Sequence, residues 1–461
     1  MKVLKFGGSS VGSPERVEQV INILTERYIK KNQKIAVVSS AFQGVTDKLI
    51  EIGKLAFQRN SNYKKELNQL LARHYDVAFQ LNPDQNPNEI GKILEPFFEE
   101  LREVVHGAYL VRELSPKTLD YIVSFGERLS CSIINISLIN RNIPSEYLDA
   151  RKLIKTDDSF GNANVDFKTT NKNIKDYFNK HKKLQIITGF ISSTHKDEIT
   201  TLGRGGSDLT ASIIGAALNV EVIEIWTDVD GILTADPRKV KNAFSLPSVT
   251  YEEAMELSHF GAKVIYPPTL LPALQKKIKI VIKNTFNPDF AGTLILEKER
   301  SPKFTVKGIS SIDDISLIQI QGGGMVGVLG IAGRLFGALA KQNVNIIMIT
   351  QASSEHSICI AVPPKFGALS KKVLEEEFKL EIMEGKIGEV KVEENLSIIA
   401  VVGENMRNAV GIAGKVFQSL GKNKINIIAI AQGSSELNIS LVINKNNLSK
   451  ALNVLHKAVL M

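Results

Sequence analysis

Residues 3–12 read Val3-Leu4-Lys5-Phe6-Gly7-Gly8-Ser9-Ser10-Val11-Gly12, and the first two-thirds of the chain repeats the pattern they set. A short apolar strand over 3–6 breaks into glycines and hydroxyls. An amphipathic helix over 15–30 follows, with Pro14 near its start, where the missing N–H does no harm. Residues 35–40, 184–190 and 222–226 are further apolar strands, each running straight into a loop of Gly, Ser, Thr or Asp. Short apolar strands alternating with helices predict an α/β domain: a mostly parallel sheet with helices on both faces. Ligands then gather at the carboxyl ends of the strands. Residues 62–140 read as inserted helices, interrupted by a polar stretch at 81–88 and by Pro116.

With 461 residues the chain is too long for one ordinary core, so two or three domains are expected. The composition, 43% apolar and 23% charged with mixed signs, is that of a globular protein. The formal net charge is +8, yet the lysines are scattered among acids and form no basic stripe with aromatics. Nucleic acid and membrane surfaces are therefore not expected partners. Cys131 and Cys359 lie far apart in apolar runs and read as small buried hydrophobes in a reducing compartment. The opening apolar run is too short for a signal peptide, and no run approaches the roughly 18 apolar residues of a membrane helix. A cytoplasmic setting is the expectation.

The last third holds an internal repeat. Residues 330–362 align without a gap on 411–443, and sixteen of the 33 positions are identical. Each copy reads strand, helix, strand, strand, helix. The first adds a last strand near 389–393; the second stops at Met461, after its helix. Its missing strand is expected from 304–310, ahead of the first copy. The reading therefore inserts one module within the other, behind a charged linker at 297–303. A Gly-x-Gly-x-x-Gly at 322–327 would suggest a dinucleotide fold, but the second copy lacks those glycines, which favours a small-ligand module.

Six segments carry candidate chemistry. Lys5, Gly7, Gly8 and Ser9 suit a phosphate: glycines let amides approach, and a helix end follows. No Walker A pattern occurs. Ser40 and Thr46 offer hydroxyls, although Thr46 or Asp47 would equally cap a helix. Glu127, in a turn of small residues, suits an ammonium group; the plainer alternative is a surface acid paired with Arg128. In Gly203-Arg204-Gly205-Gly206-Ser207-Asp208 the glycines bring backbone close to an anion and Arg204 can grip a carboxylate with two bonds, while Asp208 is also placed to cap a helix. Residues 226–238 leave a strand and turn at Asp-Gly and Asp-Pro, a loop that could clasp a nucleotide. Phe260-Gly261-Ala262-Lys263-Val264 adds a lysine that is otherwise a solvated one. No His and Cys cluster has metal-ligand spacing, so no protein metal site is expected.

In order and spacing these motifs resemble the aspartate kinases of the amino-acid kinase family, over essentially the whole chain. The repeated third resembles tandem ACT domains. The loops Ile349-Thr350-Gln351-Ala352-Ser353-Ser354-Glu355 and Ile430-Ala431-Gln432-Gly433-Ser434-Ser435-Glu436 resemble most the kinase half of bifunctional aspartate kinase–homoserine dehydrogenases. The chain ends where a dehydrogenase would begin, so a single-function version is expected.

The resemblance implies a three-layer αβα kinase domain at 1–298. It implies two α+β, ferredoxin-like βαββαβ ACT modules, one at 316–394 inserted in the other (304–312 plus 395–461). It implies transfer of the ATP γ-phosphate to L-aspartate, the first step toward lysine, threonine and methionine. Lys5 and Asp208 would be catalytic. Ser40, Thr46, Glu127, Arg204 and Ser207 would hold aspartate. Lys5, Gly7, Gly8, Ser9, Thr227, Asp228, Leu233, Arg238, Lys263 and Val264 would bind ATP, with Mg2+ held by phosphate oxygens and water. Gln351 and Gln432 would contact a regulatory amino acid, threonine first and lysine second, in a homodimer or homotetramer. Two departures stand out: Leu233 replaces the family's aromatic in the nucleotide loop, and Gly327-Val328-Leu329-Gly330 replaces Gly-Val-Pro-Gly. The rival readings are a catalytically silent amino-acid sensor and another amino-acid kinase, for glutamate or uridylate.

Overall fold

The computed structural model describes residues 1–260, 265–298, 304–351, 356–407 and 409–461. They fall into two compact units. One comprises Met1–Ile232, Ser245–Tyr251 and Val264–Glu299; the other comprises Leu233–Phe244, Glu252–Lys263 and Arg300–Met461.

The first unit is built on eight strands: β1 (Lys2–Phe6), β2 (Ile35–Ser39), β3 (Ser145–Leu148), β4 (Leu184–Thr188), β5 (Val222–Thr227), β6 (Ser248–Thr250), β7 (Lys279–Asn284) and β8 (Thr293–Leu296). Their order is β3-β4-β2-β1-β5-β7-β8-β6. Among the described residues every pairing is parallel except β7 with β8. The central strands are apolar without alternation; all five residues of β2 are buried, as a strand covered on both faces requires. The register levels the strand ends: Phe6 lies opposite Ser39 and Trp226, and Ser39 opposite Thr188. The chain leaves β1 for β2 on one side and returns to β5 on the other. The end of β1 is thus the switch point of the sheet, where a crevice forms.

Five helices, from Val45–Phe57 through Asn62–Leu81, Pro87–Val111 and Pro116–Val123 to Phe125–Asn140, form the insertion. The breaks have local causes. Asn86 and Ser115 cap the next helix with their side chains, and Pro87 and Pro116 take the first helical position. The run Pro116–Asn140 is long and apolar enough to cross a membrane, but 89% of its apolar window is buried in the protein, so it is a core element. Three local expectations shift. The first long helix is regular only over Pro14–Leu24 and widens to a π-type turn at Thr25–Ile29. The strand expected over 184–190 stops at Thr188, because Phe190 adopts a positive φ of 66°. A small sheet of Lys155–Thr156, Ile191–Thr194 and Ile199–Thr201 was not foreseen, its strands being too short to show periodicity.

Cys131 is buried in this unit and its thiol donates to the carbonyl of Ile187 at 3.3 Å, with burial pushing the thiol up. Cys359, in the other unit, is only half-buried, against the sequence expectation, because it faces out from a strand near the sheet edge.

The second unit is one antiparallel sheet of β9 (Gly308–Gln321), β10 (Met348–Gln351), β11 (Ser357–Val362), β12 (Lys391–Val402), β13 (Ala429–Ala431) and β14 (Asn438–Asn444), in the order β10-β11-β9-β12-β14-β13. Two strands do double duty. Residues 308–312 of β9 pair with 398–402 of β12, while 315–319 pair with 391–396, across a shift in register. The far half of β9 also pairs with β11, and the far half of β12 with β14. The strand expected at 304–310 and the opening strand of the first copy are therefore one strand, starting at Gly308. The linker expected at 297–303 lies mostly outside the described residues.

Each repeat closes its own apolar cluster under two helices. Leu335 and Leu339 meet Leu374 and Phe378; Val416 and Leu420 meet Leu452 and Leu455. The second cluster also takes in Ala235 and Val240, from the loop that follows β5. Ile309 N donates to Thr234 O at 2.7 Å, Thr234 Oγ1 bonds His456 Nε2 at 2.9 Å, and Asn453 Nδ2 donates to Lys239 O at 2.8 Å. Val240→Asp should accordingly loosen a helix two hundred residues away. Hydrogen exchange of Leu448–Leu460 is expected to rise and the Tm to fall, since a buried unpaired carboxylate in an apolar cluster is strongly destabilising. Unchanged exchange in that helix would contradict the packing.

Candidate functional site

At the ends of β1, β2 and β4 a cavity of about 410 Å³ opens. Lys5, Gly8, Ser9, Ser40, Thr46, Glu127, Arg204, Ser207 and Asp208 all line it, so one hollow gathers residues from four of the six candidate segments. Ala41, Gln43 and Phe190 line it too, without having been singled out from the sequence, and so does Asp47, read there only as a helix cap. Ala41 contributes only a backbone N–H, which no sequence pattern reports. Phe190 had one weak signal, its place after Gly189 at the end of an apolar strand.

Lys5 leaves the end of β1 and its Nζ lies 2.6 Å from Asp208 Oδ1, with both side chains only 11% exposed. Asp208 therefore faces the lysine. The capping position of the helix Gly206–Leu218 falls instead to Gly205, whose φ of +72° suits a residue without a side chain. The N–H groups of Gly206, Asp208 and Leu209 are taken by Gly203 O and Gly205 O, so what the helix start offers the cavity lined by Gly206, Ser207 and Asp208 is the positive end of its dipole.

Glu127 departs from both sequence readings of its surroundings. It sits inside the first turn of the helix Phe125–Asn140, not in a loop, and it is buried. Arg128 is not its partner. That guanidinium lies between the rings of Phe125 and Phe97, 4.2 and 5.1 Å from their centroids, and binds Glu100 at 2.6 Å. Glu127 Oε1 accepts from Ala41 N at 3.1 Å, and Oε2 finds no hydrogen-bond partner. Gly126 makes this approach possible, since a Cβ there would stand 2.7 Å from Ala41 Cβ. Burial pushes the Glu127 carboxyl up to about 8, only partly countered by the amides of Ala41 and of Glu127 itself and by the charge of Lys5. The cavity therefore holds an acceptor with no donor of its own.

Thr46 does not cap its helix. Gly44 holds the cap position and no side-chain cap bond is made, which leaves the hydroxyl free for other partners. Arg204 is exposed and stacks over the ring of Tyr266, 5.6 Å from its centroid. Gly7 N donates to Trp226 O at 3.2 Å, which stitches the β1 loop to the end of β5. There Thr227 Oγ1 donates to Asp228 Oδ1 at 3.2 Å. Leu233 and Arg238 belong to the second unit, and Arg238 is gripped by Asp236 through two nitrogens, at 3.0 and 2.8 Å. Lys263 and Val264 lie outside the described residues.

In the second unit, Gln351 closes β10 and Gln432 follows β13, both exposed. These strands are the opposite edges of the sheet, yet Thr350 Oγ1 donates to Ile430 O at 2.9 Å. The sheet thus curls until its edges touch beside both glutamines.

Comparison with known proteins agrees with this layout. The amino acid kinase family model matches residues 1–284, and an ACT domain model matches 318–378 and 399–459. A bifunctional aspartokinase/homoserine dehydrogenase of Haemophilus influenzae is 35% identical over 464 residues, which cover 99% of this chain and 56% of that protein. The chain spans about half the length of the bifunctional relatives it matches, 50% in Zea mays. The chloroplastic aspartokinase 2 of Arabidopsis thaliana is 33% identical over 468 residues, covering 99% of this chain and 84% of its own. Among solved structures, E. coli aspartokinase III superposes over the full length of both chains. Its R-state complex with aspartate and ADP has a TM-score of 0.82 at 29% identity, and its T-state complex with lysine and aspartate 0.80 at 28%. The chain belongs to the amino acid kinase family, among the aspartokinases that carry ACT domains.

Proposed function

We propose that the chain transfers the γ-phosphoryl group of ATP to the side-chain carboxylate of L-aspartate, giving 4-phospho-L-aspartate and ADP. The observation that carries this reading is the pairing, in one cavity, of a phosphate-type loop holding the Lys5–Asp208 ion pair with the unpartnered carboxylate oxygen of Glu127. The aspartate and ADP bound by E. coli aspartokinase III support it.

An ionised carboxylate oxygen attacks the γ-phosphorus as the bond to the β,γ-bridging oxygen breaks, and ADP leaves with that electron pair. Aspartate is already ionised at neutral pH, so no base is needed. Catalysis rests on positioning and charge neutralisation. Lys5 would neutralise the transferring group, with Asp208 fixing the lysine. Glu127 would take the substrate ammonium and Arg204 a carboxylate, with Ser40, Thr46 and Ser207 completing the acceptor side. Gly7, Gly8 and Ser9 would present backbone to phosphate. The resemblance assigns Thr227, Asp228, Leu233, Arg238, Lys263 and Val264 to the nucleotide. ATP enters as its magnesium complex, so the ion belongs to the substrate.

We also assign residues 1–298 to catalysis and the rest to two interleaved ACT modules. Gln351 and Gln432 would hold an inhibiting end-product amino acid, threonine before lysine, in a cytoplasmic homodimer or homotetramer serving lysine, threonine and methionine synthesis.

Purified protein with ATP and aspartate should release ADP in a coupled assay, with glutamate or a nucleotide a poorer acceptor; preference for either of those sinks the assignment. Lys5→Ala should lower kcat by about 10²–10³. The high Glu127 value gives a pH signature. Only the ionised form binds an ammonium group, and that form grows with pH up to about 8. Measured kcat/KM for aspartate should therefore climb between pH 6 and 8, by at most about tenfold per unit, and level off above. Glu127→Gln should abolish that slope and weaken aspartate by roughly 10–150-fold, the worth of a charged hydrogen bond. Titration with threonine, lysine, methionine and leucine tests the regulatory part. Threonine is expected to shift aspartate affinity roughly 5–150-fold; a flat response to threonine refutes that choice.

A further inference from the structure

Two arginines tie the donor and acceptor sides of the cavity together without entering it. Arg73, on the helix Asn62–Leu81, donates from Nη2 to Gly12 O at 3.0 Å and from Nη1 to Gln43 O at 3.1 Å. Gly12 ends the loop that begins at Lys5, and Gln43 lies between Ser40 and Thr46. Arg16, on the helix Pro14–Leu24, repeats the bridge: its Nη1 donates to Ser9 O and to Gln43 Oε1, each at 2.9 Å. The residue beside Arg73 grips the same loop. His74 is buried, its ring stacks on Phe42 with centroids 5.3 Å apart, and its Nδ1 is fixed by Leu70 O at 2.7 Å. One turn of an inserted helix thus holds the 40–46 loop at two consecutive positions and the Lys5 loop at a third point.

We propose that Arg73, seconded by Arg16, is a positioning residue that sets the register between the phosphoryl donor and the acceptor carboxylate. The inference rests on the phosphoryl-transfer reading above. The geometry favours this role over simple loop packing because each guanidinium spans the two loops. A planar fork can hold two carbonyls at a fixed spacing, which a single ammonium cannot. In-line transfer is sensitive to that spacing: a misplacement of about 1 Å is worth roughly a hundredfold in rate. The inserted helices therefore gain a task in the reaction that their distance from the reacting atoms conceals.

The test uses Arg73→Met and Arg73→Lys in the full chain, with steady-state kinetics, separate binding of aspartate and of a non-hydrolysable ATP analogue, and hydrogen exchange. Arg73→Met should lower kcat by about 10–100-fold while each ligand alone binds within about threefold of the parent, and Arg73→Lys should fall between. Exchange at 8–12 and 41–44 should rise together in Arg73→Met. Unchanged kcat, or losses of binding as large as the loss of kcat, would overturn the proposal; so would a rise in exchange confined to one loop. A parent protein without aspartate-dependent turnover would refute the phosphoryl-transfer reading instead, and the exchange pattern would still decide whether Arg73 couples the loops.

Discussion

A buried carboxylate with one hydrogen bond is an expensive thing to keep, and the surroundings of Glu127 are arranged to keep it. The helix that carries it is anchored by Arg128, whose guanidinium is clamped between two rings and bound to Glu100. The loop that meets it, at Ala41, is the loop that Arg73, Arg16 and His74 hold from outside. Lys5 contributes a positive charge that favours ionisation, and that lysine is itself held by Asp208 at 2.6 Å. A single unmet acceptor at the end of a parallel sheet thus accounts for why so many polar contacts converge on two loops. An unmet acceptor of this kind costs stability, and such compromises cluster at functional sites.

Much of this was legible in the sequence because the signals were local. Apolar strands ending in glycine, hydroxyl and acid loops gave the parallel sheet, and the level register then brought Lys5, Ser40, Glu127, Arg204 and Asp208 to one place. What escaped notice depends on tertiary packing. Nothing local distinguishes Arg73 from any arginine on a polar helix face, since its acceptors are backbone carbonyls 30 and 61 residues away. The burial of Glu127 could not be read from a helix start rich in small residues, where a surface acid is the ordinary case. The small sheet around 155–201 failed for a plainer reason, its strands being two to four residues long.

In the second unit the 81-residue offset gave the repeat, and the missing last strand of the second copy pointed to the segment ahead of the first; what stayed hidden was that this segment and the first copy's opening strand are one continuous strand. Two modules side by side would each need a complete set of strands. Here β9 and β12 run through both, so one sheet serves two cores and the modules cannot slide past one another without breaking a ladder. Ala235 and Val240 enter the second core from the loop that leaves β5 at Thr227. The polypeptide that leaves the parallel sheet at β5 therefore continues directly into the module that carries Gln432.

That continuity has a consequence during synthesis. Residues 233–244 emerge from the ribosome long before their partners among residues 439–460 exist. At about 5–20 residues per second, the roughly 200 intervening residues keep Ala235 and Val240 without a core for some 10–40 seconds. The amino half of β9 waits likewise for 398–402. Vectorial folding of the first unit is thus left with one apolar segment unburied until the last helix is made. Removing the helix Leu448–Leu460 would leave the same segment without its cover.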